Sequence, residues 1–212
     1  MEKSYQELTS NQIITADLMQ GAYVRHDFPG FKEDFSVIHC LLRKYQPANV
    51  LEVGTSHGYG TRVLCAAFKV RPFIAWSSPV YSIDVPPGTD ANIIYPDHED
   101  GHPKLPGKHC RFIYRYHQLF GDSRVFDYSP YYPLEAWFID GKHNYEFCTA
   151  DTLQALKAKP KLIIWHDLQI DEVRQAVTEV MSRYQNDYNL YRVIDTRIGF
   201  ALRKDLDQTK HL

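Results

Sequence analysis

Residues able to do chemistry are gathered in five short stretches, each placed directly after an apolar run. The first, Glu52-Val53-Gly54-Thr55-Ser56-His57-Gly58-Tyr59-Gly60-Thr61, sets an acid ahead of a glycine-rich turn. Its glycines permit a tight turn and the close approach of a ligand to the backbone, and a helix starting beyond it would offer unpaired N–H groups to a carboxylate or phosphate. The spacing argues against two common phosphate binders. Counted from Gly54, the later positions of a GxGxxG dinucleotide fingerprint fall on Ser56 and Tyr59, and no GKS or GKT is present. Asp84 closes the second run, and Gly121-Asp122-Ser123 follows the third. Phe138-Ile139-Asp140-Gly141-Lys142-His143-Asn144-Tyr145 and Ile163-Ile164-Trp165-His166-Asp167 make up the fourth and fifth. Asp97, Glu99 and Asp100 read as a solvated loop, and His57, His98, His102 and His109 have no partner at a telling spacing.

Such scattered groups act together only if one fold collects them. Apolar residues at helical spacing (Phe35, Val37, Ile38, Leu41, Leu42) predict a helix over 35–45, stopped by Pro47. Strands are predicted over 48–53, 80–85, 112–120, 136–140 and 162–165, and helices over 61–68, 145–158 and 171–184. Two last strands, 190–194 and 198–202, would be joined by a tight turn at 195–197 and add an antiparallel edge. Alternating strands and helices indicate an α/β domain with a mostly parallel sheet of about seven strands. In such sheets ligands gather beyond the carboxyl ends of the strands, which is where all five stretches lie. Five prolines (86, 87, 96, 103 and 106) bar a crossover helix, so 86–111 is read as a long loop insertion, with a helical turn at 92–95. Residues 1–34 are read by position as a covering segment, with Tyr23, Arg25, His26 and Asp27 near the substrate.

Composition narrows the function classes. The 212 residues suit one domain, 1–212, and with 44% hydrophobic and 24% charged residues the chain is an ordinary globular one. Lys and Arg number 24 against 26 Asp and Glu, so the basic excess of a nucleic-acid binder is missing, and none is expected as partner. The apolar runs fall far short of the ~20 residues that span a bilayer, and the first ten residues are too polar for a signal segment. Cys40, Cys65, Cys110 and Cys148 form no CxxC pair and are read as reduced thiols of a cytoplasmic protein.

The run Glu52-Val53-Gly54 with Gly58-Tyr59-Gly60-Thr61 resembles the first motif of the class I methyltransferases that use S-adenosylmethionine (SAM). The FIDGxHxY pattern at 138–145 and the His166-Asp167 pair resemble the methyltransferase 24 family, related to metal-dependent sugar and antibiotic O-methyltransferases. The resemblance covers about Val50 to Asp167, with Lys159-Pro160-Lys161 in place of a glycine pair and the 86–107 segment in place of a helix. It implies a Rossmann-like three-layer sandwich and a cofactor site at Glu52, Gly54, Thr55, Ser56, Gly58 and Tyr59. Asp84 would then bind the ribose hydroxyls, and Asp122 and Ser123 would lie by the adenine, where either could instead cap a short helix. It further implies a divalent cation, Mg2+ or Mn2+, on Asp140, His166 and Asp167, the other reading being turn-capping acids beside a packed histidine. His143, three residues after Asp140, is the expected base, because an ordinary histidine pKa of about 6.5 suits neutral pH whereas a solvated Lys142 would stay protonated. The implied reaction is methylation of a hydroxyl on a small molecule, a sugar or natural-product intermediate. A nucleotide-binding oxidoreductase and a SAM-binding protein without catalysis remain as alternatives, and homo-oligomerisation stays open.

Overall fold

In the computed structural model, which describes residues 2–4, 31–68, 79–87, 89, 106–112 and 116–206, the eight described strands form one sheet. Three of them, β2 (Val50–Val53), β5 (Ala136–Ile139) and β6 (Leu162–Trp165), are buried at every residue. The reason is in their composition. Side chains alternate between faces along a strand, and in these three both faces are almost wholly apolar, so each must be covered on both sides. Val50, Ala136, Phe138, Leu162 and Ile164 join the cluster that includes α1 (Phe31–Tyr45) and α2 (Tyr59–Ala67). Leu51, Val53, Trp137, Ile139, Ile163 and Trp165 join the opposite one with α3 (Tyr145–Lys157) and α4 (Asp171–Ser182). The result is the expected three-layer sandwich.

β3 (Val80–Asp84) and β4 (His117–Phe120) extend the sheet beyond β2, while β8 (Gly199–Arg203) and β7 (Tyr188–Ile194) extend it beyond β6. Among the described strands β8 alone runs against its neighbours. Two expectations change. A short strand, β1 (Glu2–Ser4), pairs in parallel with the outer side of β7, so the antiparallel hairpin is enclosed instead of forming the edge. β4 is shorter than 112–120, and Phe112 lies in a turn with its side chain 71% exposed. Tyr23, Arg25, His26, Asp27 and the turn expected at 92–95 lie outside the described residues. No described helix is long and apolar enough to cross a membrane.

The topology brings the carboxyl ends of β6, β5, β2, β3 and β4 side by side along one rim. Two devices steady that rim. Asn144 caps α3 by accepting a hydrogen bond from the Phe147 amide at 3.0 Å, which fixes how the chain leaves β5. Behind it, the Trp165 indole donates to Thr152 Oγ1 at 2.9 Å and ties β6 to α3.

Candidate active site

The glycine-rich turn sits between β2 and α2 and is held from below by Glu52. That side chain is fully buried, and its carboxylate accepts bonds from the hydroxyls of Thr61 and Ser82. Burial lifts its pKa from 4.5 to about 8 against the pull of those two bonds. Glu52 therefore braces the turn from within. Gly54 has φ +96, and a side chain there would strike the carbonyl of Asp140. The residue must be glycine for both reasons. Gly58 has φ +86, and a side chain there would strike Cys110 and Gly107 of the 106–112 segment. That segment is tied to the turn by the amides of Gly107 and His109, which donate to the carbonyls of Ser56 at 2.8 Å and His57 at 2.9 Å. The Tyr59 ring stacks on His109 at 4.3 Å, giving a place to a histidine that spacing had left unassigned.

Asp84, at the end of β3, is 8% exposed and reaches the same turn. One of its oxygens accepts from the Ser56 amide at 2.6 Å and the other from the Val85 amide at 2.7 Å. These two bonds fix the orientation of the carboxylate against the turn. Thr55 is buried beside it and shares a hydrogen bond with Ser82 at 2.6 Å. Gln118 on β4, which the sequence did not single out, donates to Thr55 Oγ1 at 2.8 Å and to the Ser82 carbonyl at 3.0 Å.

At the third strand end the structure shows a turn where a short helix was considered. The Val125 and Phe126 amides donate to the Asp122 carbonyl, and the Asp122 side chain takes the Arg124 amide and guanidinium, the closest contact being 2.7 Å. The guanidinium bonds hold the Asp122 carboxyl below its ordinary pKa. Ser123 bonds to Asp151, a buried acid of α3 that burial pushes up to about 7.

The fourth and fifth strand ends converge. Donor atoms of Asp140, His166 and Asp167 all lie within 4.8 Å of one another. His166 Nδ1 stands 2.9 Å from Asp167 Oδ2 and 3.4 Å from Asp140 Oδ1. His143 joins them, with Nε2 3.0 Å from Asp167 Oδ2 and 3.6 Å from Asp140 Oδ1. Asp167 has a backbone φ of +57, and Gln169 donates to its Oδ1 at 2.7 Å. Burial alone would lower both histidine pKa values. The carboxylates outweigh it and carry His143 to about 9 and His166 to about 10, while the two imidazoles hold Asp167 far below its ordinary value. Two carboxylates and an imidazole, whose protons a bound cation would displace, make a donor set that accommodates a divalent cation. Two further residues reach it unannounced by the sequence, Asp34 of α1 and Arg197 of the β7–β8 turn.

No family model matches the sequence, and no curated protein does. Solved structures, in contrast, match it along nearly its whole length. An O-methyltransferase from Bacillus cereus, in complex with SAH, superposes with a TM-score of 0.54 over 94% of this chain and 89% of its own, at 16% identity. The chain has the class I methyltransferase fold. The same fold is shared with CalS11, the TDP-rhamnose 3'-O-methyltransferase of calicheamicin biosynthesis (TM-score 0.54, 17% identity, 96% of each chain). The MycE methyltransferase of the mycinamycin pathway, in complex with Mg, SAH and mycinamycin VI, matches at a TM-score of 0.54 and 14% identity over 97% of this chain and 56% of its own. At these identities what is shared is the fold alone; in this chain the glycine turn and the acid–imidazole cluster lie along the rim where such sheets gather ligands.

Proposed function

We propose that this protein is a SAM-dependent O-methyltransferase that methylates a hydroxyl of a small molecule, such as a sugar or natural-product intermediate, with a divalent cation on Asp140, His166 and Asp167. One observation carries the reading: Asp140 belongs to both halves of the site. Its backbone carbonyl packs where a Gly54 side chain would be, and its carboxylate faces His166 and His143. The glycine turn and the acid–imidazole cluster are thereby adjoining parts of one cleft, as transfer between two bound molecules requires. The methyltransferase folds of the B. cereus enzyme, CalS11 and MycE support the same assignment.

The donor set fits Mg2+ or Mn2+, with the two carboxylates supplying hard oxygen ligands and His166 a nitrogen that Mn2+ accepts more readily. Bound there, the cation would orient and acidify an acceptor hydroxyl, while SAM would supply the methyl group. The remaining work falls to the chain. Asp84, already fixed by the Ser56 and Val85 amides, accepts hydrogen bonds from the ribose diol. Asp122 and Ser123 line the adenine end. With a cation shared by Asp140 and Asp167 offsetting the carboxylates that hold a proton on His143, its imidazole is free to take the hydroxyl proton. The four buried free thiols suit a reducing compartment such as the cytoplasm.

Calorimetry with SAM, S-adenosylhomocysteine, NAD and NADP, followed by an assay for S-adenosylhomocysteine over a panel of hydroxylated acceptors with Mn2+ or Mg2+, tests the reading. SAM affinity with cation-stimulated turnover is the expected result. SAM binding without turnover on any acceptor would point to a binding protein, and preference for NAD or NADP would overturn the cofactor.

A further inference from the structure

The cation site has an outer layer that comes from the other end of the chain. Asp34 lies in the first turn of α1 and is fully buried. Its Oδ2 stands 3.3 Å from His166 Nε2, on the ring nitrogen remote from the Nδ1 that faces Asp140 and Asp167. Asp34 is itself clamped. The Arg197 amide donates to its Oδ1 at 2.8 Å and the Arg197 Nε to its Oδ2 at 3.0 Å, so neither oxygen is left to swing. The two nitrogens of a neutral imidazole play opposite roles, one donating and the other presenting a lone pair, and the hydrogen bond made by the first decides which is which. With a cation drawn between Nδ1 and the two acids, a fixed carboxylate at Nε2 would keep the ring's remaining proton there and leave the Nδ1 lone pair for the metal.

We propose that Asp34 is the positioning residue that sets His166 as an Nδ1 ligand, with Arg197 holding Asp34 in place. This rests on the cation reading above and deepens it. Outer-layer carboxylates of this kind typically change metal affinity 10–100-fold when removed. A purely structural ion pair would instead alter stability and leave affinity alone.

The test titrates Mn2+ and Zn2+ into the full-length protein and its Asp34→Ala and Asp34→Asn variants by calorimetry, at a temperature where circular dichroism shows all three folded. Asp34→Ala is expected to bind about 10–100-fold more weakly. Asp34→Asn, which keeps an oxygen acceptor for Nε2–H, should recover part of the loss. A second measurement needs no variant: 15N spectra of histidine-labelled wild type loaded with Zn2+ should show His166 protonated at Nε2 and shifted by metal at Nδ1. Metal at Nε2, or equal affinity in Asp34→Ala, overturns the role of Asp34 while leaving the cation reading intact. A wild-type protein that binds neither metal overturns both.

Discussion

Asp84 and His143 make the sharpest claims, because each is tied to a single chemical step. Asp84→Ala removes an oriented carboxylate, and hydrogen bonds to a charged group are worth roughly 1.5–3 kcal/mol. SAM affinity measured by calorimetry should fall at least about tenfold, and an unchanged value in a folded variant would take Asp84 out of the ribose site. Asp167→Ala removes the oxygen approached by both imidazoles, at 2.9 and 3.0 Å. It should abolish cation uptake and turnover while SAM affinity stays near wild type, since the glycine turn and Asp84 are untouched. His143→Ala should slow turnover by about 10²–10⁴-fold, the usual contribution of a positioned base, and still carry the cation in elemental analysis. Loss of metal from that variant would make His143 a ligand instead. Asp140, His143, His166 and Asp167 were legible because the FIDGxHxY pattern and the His-Asp pair follow two apolar strands and resemble a known family's motifs. Asp34, Arg197 and Gln118 were not. Arg197 meets Asp34 across 163 positions and Gln118 meets Thr55 across 63, and neither separation leaves a periodic trace. Taken locally, Asp34 looks like an ordinary acid complementing the positive end of a helix dipole.

Among the elements, the β2–α2 turn is where backbone geometry limits substitution most. Gly54→Ala combines a left-handed φ with a collision against the Asp140 carbonyl, and should lower thermal stability by about 1–3 kcal/mol while weakening SAM binding. Stability near wild type in a melting experiment would mean that the turn relaxes freely. The brace beneath it titrates. Glu52 has a folded pKa of about 8 against an ordinary 4.5, so the native state keeps a proton that the unfolded chain releases between those values. Its contribution to stability is complete below about pH 4.5 and is lost as pH rises through 8. Glu52→Gln, uncharged throughout, should show a shallower fall in Tm than wild type across that window; parallel curves would refute the buried-acid assignment. The strands with two apolar faces were readable to within about two residues. β1 was not, since Glu2, Lys3 and Ser4 carry no apolar alternation and owe their extended form to the edge of β7.

For the molecule as a whole, the sheet sets a gradient of order from centre to edges. β2, β5 and β6 are flanked on both sides and covered on both faces, whereas β1 and β4 end the sheet. Native-state hydrogen exchange should therefore find the slowest amides in the three central strands and faster exchange in β4 and β1, and a slow β4 would imply that another surface covers it. The reactive groups sit at the tips of the most ordered strands, which suits chemistry that depends on fixed distances. Asp140 occupies the busiest of those tips, its main chain fitted to Gly54 and its side chain to the imidazoles. The two duties can be inherited separately only because they use different atoms of one residue. A laboratory selection for turnover without added cation should accept new side chains at Asp140 and reject every replacement of Gly54, so the two positions would record opposite histories.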